Sequence, residues 1–246
     1  MARRFLILQL RPEDAASDNE FAAFLTKGGL SGDDVHRIRL DQEDLPDGID
    51  LGAYAGIIVG GGPGCVSDPP EEKDPLEARI EAAVMGLMPE VTARDVPFLG
   101  CCYGIGILAA HLGGVVSKAR YSEEVGPVGC QLTEDGLGDP LLAGLPRAFN
   151  ALVGHKEAVQ ALPPDCVHLV ASGPCPFQMI RFGRNVYATQ FHPEADGDVF
   201  ELRINIYRDK GYFDPGDAGR LIAASKAADV FAPSQMLRRF VETYRG

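Results

Sequence analysis

The sequence predicts an α/β fold: a mostly parallel central sheet with helices on both faces, extra antiparallel strands and a helical C-terminal tail. Three observations predict it. Short apolar runs alternate with helix-patterned segments through the N-terminal half. The middle breaks into short strand-like runs separated by turn residues. From about residue 198 the helical spacing returns.

"FLILQL" (5–10) is an apolar run of strand length, and "EFAAFLTKGG" reads as a short helix ended by glycines. "VHRIRL" (35–40) alternates apolar and polar residues, the pattern of a half-buried strand. "GIIVGGGPG" (56–64) is a strand running into a glycine turn. In "DPLEARIEAAVMGLM", Asp74 is placed as the N-cap and Pro75 at the first helical position. Leu76, Ile80, Val84 and Leu87 then share one helical face. "VPFLGC" (96–101) is a strand, and "GIGILAAHLGG" (104–114) a helix closed by Gly113 and Gly114. "GPVGCQLT", "ALVGHKEAV", "VHLVASG", "PFQMIRFG" and "VYATQFHPE" predict further strands. In the last segment Met236, Leu237, Phe240, Val241 and Tyr244 form one apolar stripe, read as core packing. No repeat, low-complexity tract or linker interrupts the chain. A single domain is expected over 1–246, with a core to about 197 and a helical extension over 198–246.

Composition narrows the function classes. The chain has 246 residues, 46% of them hydrophobic and 24% charged, enough for a sizeable core. A net charge of −12 argues against nucleic acid as a partner, because phosphate binding needs a basic face. The acidity is spread along the chain and reads as solubility. The apolar run of "MARRFLILQL" ends at Leu10, before charged "RPEDAASDNE", so no signal peptide is expected. No stretch approaches the roughly 20 apolar residues of a spanning helix, so no membrane partner is expected. Cys65, Cys101, Cys102, Cys130, Cys166 and Cys175 show no CxxC spacing, and the histidines do not complete a zinc pattern. Reduced thiols, a cytoplasmic location, no metal and no cofactor are the expectations.

The chemistry concentrates at "GCCYG" (100–104), between a predicted strand and a predicted helix. A residue on that sharp turn needs small residues two places before and after it, the logic of the nucleophile elbow. Centring the turn on Cys102 puts Gly100 and Gly104 at those places, whereas centring it on Cys101 would put Leu99 and Tyr103 there. Cys102 is therefore the candidate nucleophile, and Cys101 closes the strand behind it. The following helix would aim its amides and dipole at the sulfur and favour the thiolate. By itself the pattern also fits a buried structural cysteine. A partner strengthens the catalytic reading. In "QFHPE" (190–194), His192 and Glu194 sit at i and i+2 and share a face of an extended segment. That offers an imidazole for the thiol and a carboxylate to hold it. "VGGGPG" puts Gly60, Gly61 and Gly62 after a strand, where backbone N–H groups can form an oxyanion hole with Tyr103. A phosphate loop or a plain glycine turn also fits that segment, although no Lys-Ser/Thr follows.

"GIIVGGGPG", "PFLGCCYGIGILAAHLGG" and "YATQFHPE", in that order, resemble the class I glutamine amidotransferases, above all the amidotransferase domain of GMP synthase and its free-standing relatives. The resemblance covers about residues 50–195. It implies a flavodoxin-like three-layer fold and a Cys–His–Glu triad of Cys102, His192 and Glu194. It further implies an oxyanion hole of the Gly62 and Tyr103 N–H groups, and substrate contacts at Gly61, Gly64, Lys156 and Glu157, the last two through their backbone. His155 is expected to be structural. One position departs from the family: where G-x-C-x-G-x-Q carries a substrate-contacting glutamine, this chain has Gly106.

The resemblance implies hydrolysis of the glutamine side-chain amide through a γ-glutamyl thioester. No S-G-G-x-D-S pyrophosphatase loop occurs, so the ammonia acceptor is expected on a separate synthase subunit. Gly106 keeps a second reading open, a γ-glutamyl peptidase acting without a synthase partner. A catalytically silent binding module is the third.

Overall fold

The computed structural model describes residues 3–246. The first strand, β1 (Phe5–Gln9), is buried along its whole length. Its side chains alternate between two cores: Phe5 and Ile7 enter one, Leu6 and Leu8 the other. A strand buried on both faces reads as a near-continuous apolar run, and "FLIL" (5–8) is one, closed by buried Gln9.

Helix α1 (Asp14–Gly28) follows and ends on Gly29, whose φ of 66° is the left-handed cap conformation. Strands β2 (Val35–Arg39) and β3 (Gly56–Val59) pair in parallel on either side of β1. Helix α2 (Pro75–Ala93) begins as the sequence predicts: Asp74 accepts a hydrogen bond from Leu76 N and Pro75 opens the first turn. Strand β4 (Phe98–Cys101) pairs in parallel with β3 and passes directly into α3 (Tyr103–His111).

The middle of the chain builds the other half of the sheet. Here lie β5 (Val116–Ser117), β6 (Gly126–Leu132), α4 (Glu134–Gly138), β7 (Ala148–Val153) and β8 (Ala158–Val159). Then come β9 (Cys166–Ser172), β10 (Met179–Phe182) and β11 (Val186–Thr189). The large sheet runs β2-β1-β3-β4-β11-β10-β9-β6-β7. It is parallel from β2 to β11 and antiparallel beyond, while β5 and β8 form a small separate pair.

Three helices end the chain: α5 (Gly197–Ile206), α6 (Ala218–Ala227) and α7 (Phe231–Tyr244). The stripe read from the sequence is core. Met236, Leu237, Phe240 and Val241 of α7 are fully buried, in the same cluster as Phe5, Ile7 and Phe24. Helices α1 and α7 thus cover one face of the sheet. Helices α2 and α3 cover the other with Ile80, Val84, Ile105 and Leu108. The result is the three-layer α/β arrangement the sequence predicts. Among the described residues no helix is long and apolar enough to cross a membrane.

Candidate active site

Two neighbouring parallel strands deliver the site's two central residues. Strands β4 and β11 pair with Cys101 opposite Thr189, and Cys102 N donates to Thr189 O at 2.7 Å. Beyond this register β4 turns into Cys102 and β11 continues through Gln190 and Phe191 to His192, whose N–H is tied to Leu152 O. Both therefore stand at the carboxyl edge of the sheet, where open α/β folds place their sites.

Cys102 has φ 54° and ψ −90°, a left-handed conformation costly for a residue with a Cβ. The frame around it explains why the turn needs glycine. A Cβ on Gly100 would lie 3.0 Å from Gly104 backbone and 2.9 Å from the Phe98 ring, so Gly100 cannot be replaced without moving the turn. A Cβ on Gly104 would make only an ordinary contact with Val59. The frame is thus asymmetric, and its crowded member is the one before the cysteine. Cys101 ends the strand, fully buried.

The Cys102 thiol donates to Gly154 O at 3.7 Å. The helix-lowered thiol expected from the sequence does not appear. Burial pushes Cys102 up to about 12; Glu194 and Glu157 push the same way, while Arg11 and Arg203 pull it down. At neutral pH it is a thiol that requires a base.

His192 is buried, with Nδ1 3.1 Å from Glu194 Oε1. Burial lowers its pKa and Glu194 opposes this, while Arg203 and Arg11 add to the lowering, so the ring is neutral at pH 7. Burial works against ionising Glu194, but Arg203 and then His192 outweigh it and hold the carboxyl well below its usual range. Arg203 was not singled out from the sequence. It lies on α5, with Nη2 2.8 Å from Glu194 Oε1 and Nη1 3.1 Å from His192 Nδ1. A guanidinium only donates and a carboxylate only accepts, so Nδ1 cannot satisfy both. Glu194 Oε1 can only accept, so the consistent assignment is Nδ1–H to Glu194, with Arg203 held by its ion pair to the same oxygen, leaving the Nε2 lone pair to receive a proton.

Behind this pair runs a second buried layer that sequence reasoning missed. Arg11 Nε is 2.9 Å from Glu20 Oε1, and Arg203 Nη2 approaches the same oxygen at 3.7 Å. Glu20 also accepts from Gly61 N at 3.2 Å and from Gln9. The glycine turn is packed around this layer. A Cβ on Gly60 would lie 2.3 Å from Glu20, and one on Gly61 would lie 2.7 Å from both Arg11 and His192. Gly60 and Gly61 commit their N–H groups to Leu8 O and Glu20. Gly62 comes next, against Leu10 and Tyr103.

Gly62, Gly64, Cys102, Tyr103, Lys156 and Glu157 line one pocket. Lys156 Nζ stacks 4.3 Å over the Tyr212 ring. Glu157 enters by its side chain: its carboxylate accepts from Val66 N and Ser67 N, both at 2.8 Å, while its backbone oxygen is engaged by His155 Nδ1. Gly106 leaves room for that carboxylate, since a Cβ there would come 3.1 Å from Glu157 Oε1. His155 bridges Glu157 O and Glu123 Oε2. Among the described residues, Glu123, His155 and Cys175 gather within 4.8 Å at metal-ligand spacing. Ser172, Gln178 and His155 already engage the Glu123 carboxylate, which makes the group a hydrogen-bonded cluster.

The family model for glutamine amidotransferase class-I matches residues 25–205. The chain belongs to the class-I glutamine amidotransferases. Among its relatives is the glutamine-hydrolyzing GMP synthase of Lactococcus lactis subsp. cremoris (strain SK11), 35% identical over 146 residues. That match covers 58% of this chain and 25% of the relative, so the chain spans about a quarter of that protein's length. A glutamine amidotransferase from Thermotoga maritima superposes with a TM-score of 0.78 at 19% identity, over 100% of this chain and 99% of that one. A second, from Methylobacillus flagellatus, gives 0.75 at 19% identity over 99% and 96%. These two establish the amidotransferase fold. Within it, Cys102 and the His192–Glu194 pair follow neighbouring strands at the carboxyl edge of the sheet, and Glu20 of α1, Arg203 of α5 and Tyr212 of the loop that follows α5 lie around them.

Proposed function

We propose that this amidotransferase hydrolyses the side-chain amide of glutamine through a γ-glutamyl thioester on Cys102. The observation that carries the reading is the buried His192–Glu194 pair, Nδ1 3.1 Å from Oε1, just beyond the strand that neighbours the one leading to the buried Cys102 thiol. In the reaction the thiol turns from Gly154 O toward His192 Nε2 and gives up its proton. The sulfur attacks the amide carbon, and the N–H groups of Gly62 and Tyr103 hold the oxyanion. The imidazolium, steadied by Glu194, returns the proton to the leaving nitrogen; the C–N bond breaks and ammonia departs. Water then attacks the thioester, His192 takes its proton and passes it to the departing sulfur, and glutamate is released. The raised thiol pKa supports this order, because attack then depends on proton transfer to His192.

Gly64, Lys156 and Glu157 border the space for the amino-acid end of the substrate, while Gly61, with its N–H on Glu20, shapes the turn beneath. We read residues 1–197 as the catalytic core and 198–246 as an extension of the same domain, since α5 supplies Arg203 and α7 packs on α1. The relatives named as glutamine-hydrolyzing GMP synthases support use of the ammonia by a synthase, and we place that synthase on a separate subunit. A second reading, hydrolysis of γ-glutamyl compounds without such a partner, is favoured by Gly106. The test measures glutamate and ammonia from glutamine for wild type, Cys102→Ser and Cys101→Ser. Loss in Cys102→Ser with retention in Cys101→Ser is expected; full turnover by Cys102→Ser would overturn the assignment.

A further inference from the structure

Cys102 and His192 line different spaces. The pocket at Cys102 holds Gly64, Lys156 and Glu157. His192 lines a second, smaller chamber, and Gly62, Gly154 and Tyr212 border both. The chamber has about 40 Å³ of cavity volume. A buried water takes on the order of 10–15 Å³ of such space, so the chamber suits one to about three waters and no larger group.

Most polar groups on its walls are committed. Arg11 binds Glu20 and the Tyr207 hydroxyl, which itself donates to Glu13. Gly154 O accepts from the Cys102 thiol. Two groups remain. One is the Nε2 lone pair of His192, whose Nδ1 faces Glu194. The other is Arg203 Nε. The Arg203 side chain is 5% exposed and pairs through Nη2 with Glu194, but its buried Nε–H has no acceptor among the described residues. That group can only donate, and buried donors are satisfied by protein or by ordered water. The chamber thus brings together a free donor and a free acceptor at the size of the one small molecule that serves both.

The reaction needs a water on this side. Ammonia departs beside His192, which protonates it. The nucleophile that follows must occupy the same side, because the same imidazole takes its proton.

We propose that the His192 chamber binds the hydrolytic water and that Arg203 Nε holds it. This rests on the Cys102 thioester and His192 acting as described above. The Nε–H donates to one lone pair of the water oxygen, and the other lone pair attacks the thioester carbon. One water proton passes to His192 Nε2 and on to the sulfur as the C–S bond breaks. The other stays on the new carboxyl group, which ionises on release.

Arg203→Lys tests this, because it places a methylene where Nε–H stood and keeps a cation for Glu194. Hydroxylamine competes with water for the thioester and gives γ-glutamyl hydroxamate in place of glutamate. At fixed hydroxylamine the hydroxamate-to-glutamate ratio is expected to rise about tenfold in Arg203→Lys, the scale of one lost hydrogen bond. The ratio is set after acylation, so neither partial loss of folded protein nor slower acylation alters it. Glu194→Gln loosens the imidazole but keeps Nε, so its ratio moves less; an equal rise there would assign the effect to His192 and overturn the proposal. A crystal structure of the wild type gives a second reading that does not depend on any variant folding. It is expected to show an ordered water within hydrogen-bond distance of both Arg203 Nε and His192 Nε2. An unchanged ratio in Arg203→Lys, or an Nε bonded to a protein group in the crystal, would overturn the water site. If the wild type still forms hydroxamate, the catalytic reading stands. Neither hydroxamate nor glutamate from the wild type would overturn both.

Discussion

Arg203→Met tests the buried charge layer behind the imidazole. Arg203 is 5% exposed, and its partners Glu194 and Glu20 are fully buried. Removing it leaves Glu20 with Arg11, Gln9 and Gly61, but leaves Glu194 with only the neutral imidazole as a side-chain partner among the described residues. Breaking a buried pair by removing one partner costs about 3–5 kcal/mol. Because Glu20 keeps its other partners, the lower end of that range applies. For a chain of this size each kcal/mol moves Tm by about 2–4 °C, so a fall of roughly 6–12 °C is expected.

The pH dependence has a definite sign. Glu194's pKa is depressed in the folded state, so its stabilisation is present above the unfolded value of about 4.3 and is lost as pH falls through the folded value. His192's pKa is also lowered, partly by Arg203, so removing the guanidinium eases the protonation that destabilises the folded state in acid. The gap between wild type and variant is therefore widest at pH 7; toward pH 4 it narrows through His192, and the Glu194 contribution follows only below about pH 4.3. In activity, the acid limb of kcat/KM moves to higher pH, because His192 becomes easier to protonate. Urea unfolding at the two pH values and a pH profile measure these. A variant within about 1 kcal/mol of wild type at pH 7, the worth of a surface pair, would refute the reasoning.

Three further outcomes follow from the geometry. Gly61→Ala puts a methyl 2.7 Å from the His192 ring, and a displacement on that scale lowers kcat by about 10²-fold, read by glutamate release. Gly106→Gln restores the residue usual in the family but drives Glu157 from Val66 N and Ser67 N; kcat/KM for glutamine therefore falls, and a rise would contradict the role given to Glu157. Alkylation of Cys102 by iodoacetamide, followed by peptide mass mapping, climbs about tenfold per pH unit through the neutral range, as a high-pKa thiol requires. A plateau by pH 7 would mean a resident thiolate.

The parts of the site legible in the sequence are those written in one contiguous stretch. "GCCYG" carries its turn in its own spacing, and "FHPE" places the imidazole and its carboxylate two residues apart. The alternating strands and helices were legible for the same reason. Arg203 left a weaker signal: Val199, Phe200, Arg203 and Ile204 form the buried face of α5, so an ionisable residue interrupts an apolar stripe at helical spacing. Arg11 and Glu20 left none. Each looks like an ordinary surface charge until β1, α1 and α5 pack together and exclude water from both. The thiol's high pKa is hidden from the sequence on the same account. Helix direction is local and readable, whereas the burial that outweighs it belongs to the assembled fold. Tyr212 sits in the turn-rich "KGYFDPG", and only the path of the chain after α5 brings it over the cleft.

The most direct test of the central claim is to trap the intermediate. Wild-type protein is mixed with glutamine, quenched in acid within its turnover time, and mapped by peptide mass. The account predicts a γ-glutamyl adduct on Cys102, absent from Cys102→Ser and still formed by Cys101→Ser. An adduct on Cys101 or Cys65, or turnover that survives in Cys102→Ser, would contradict it.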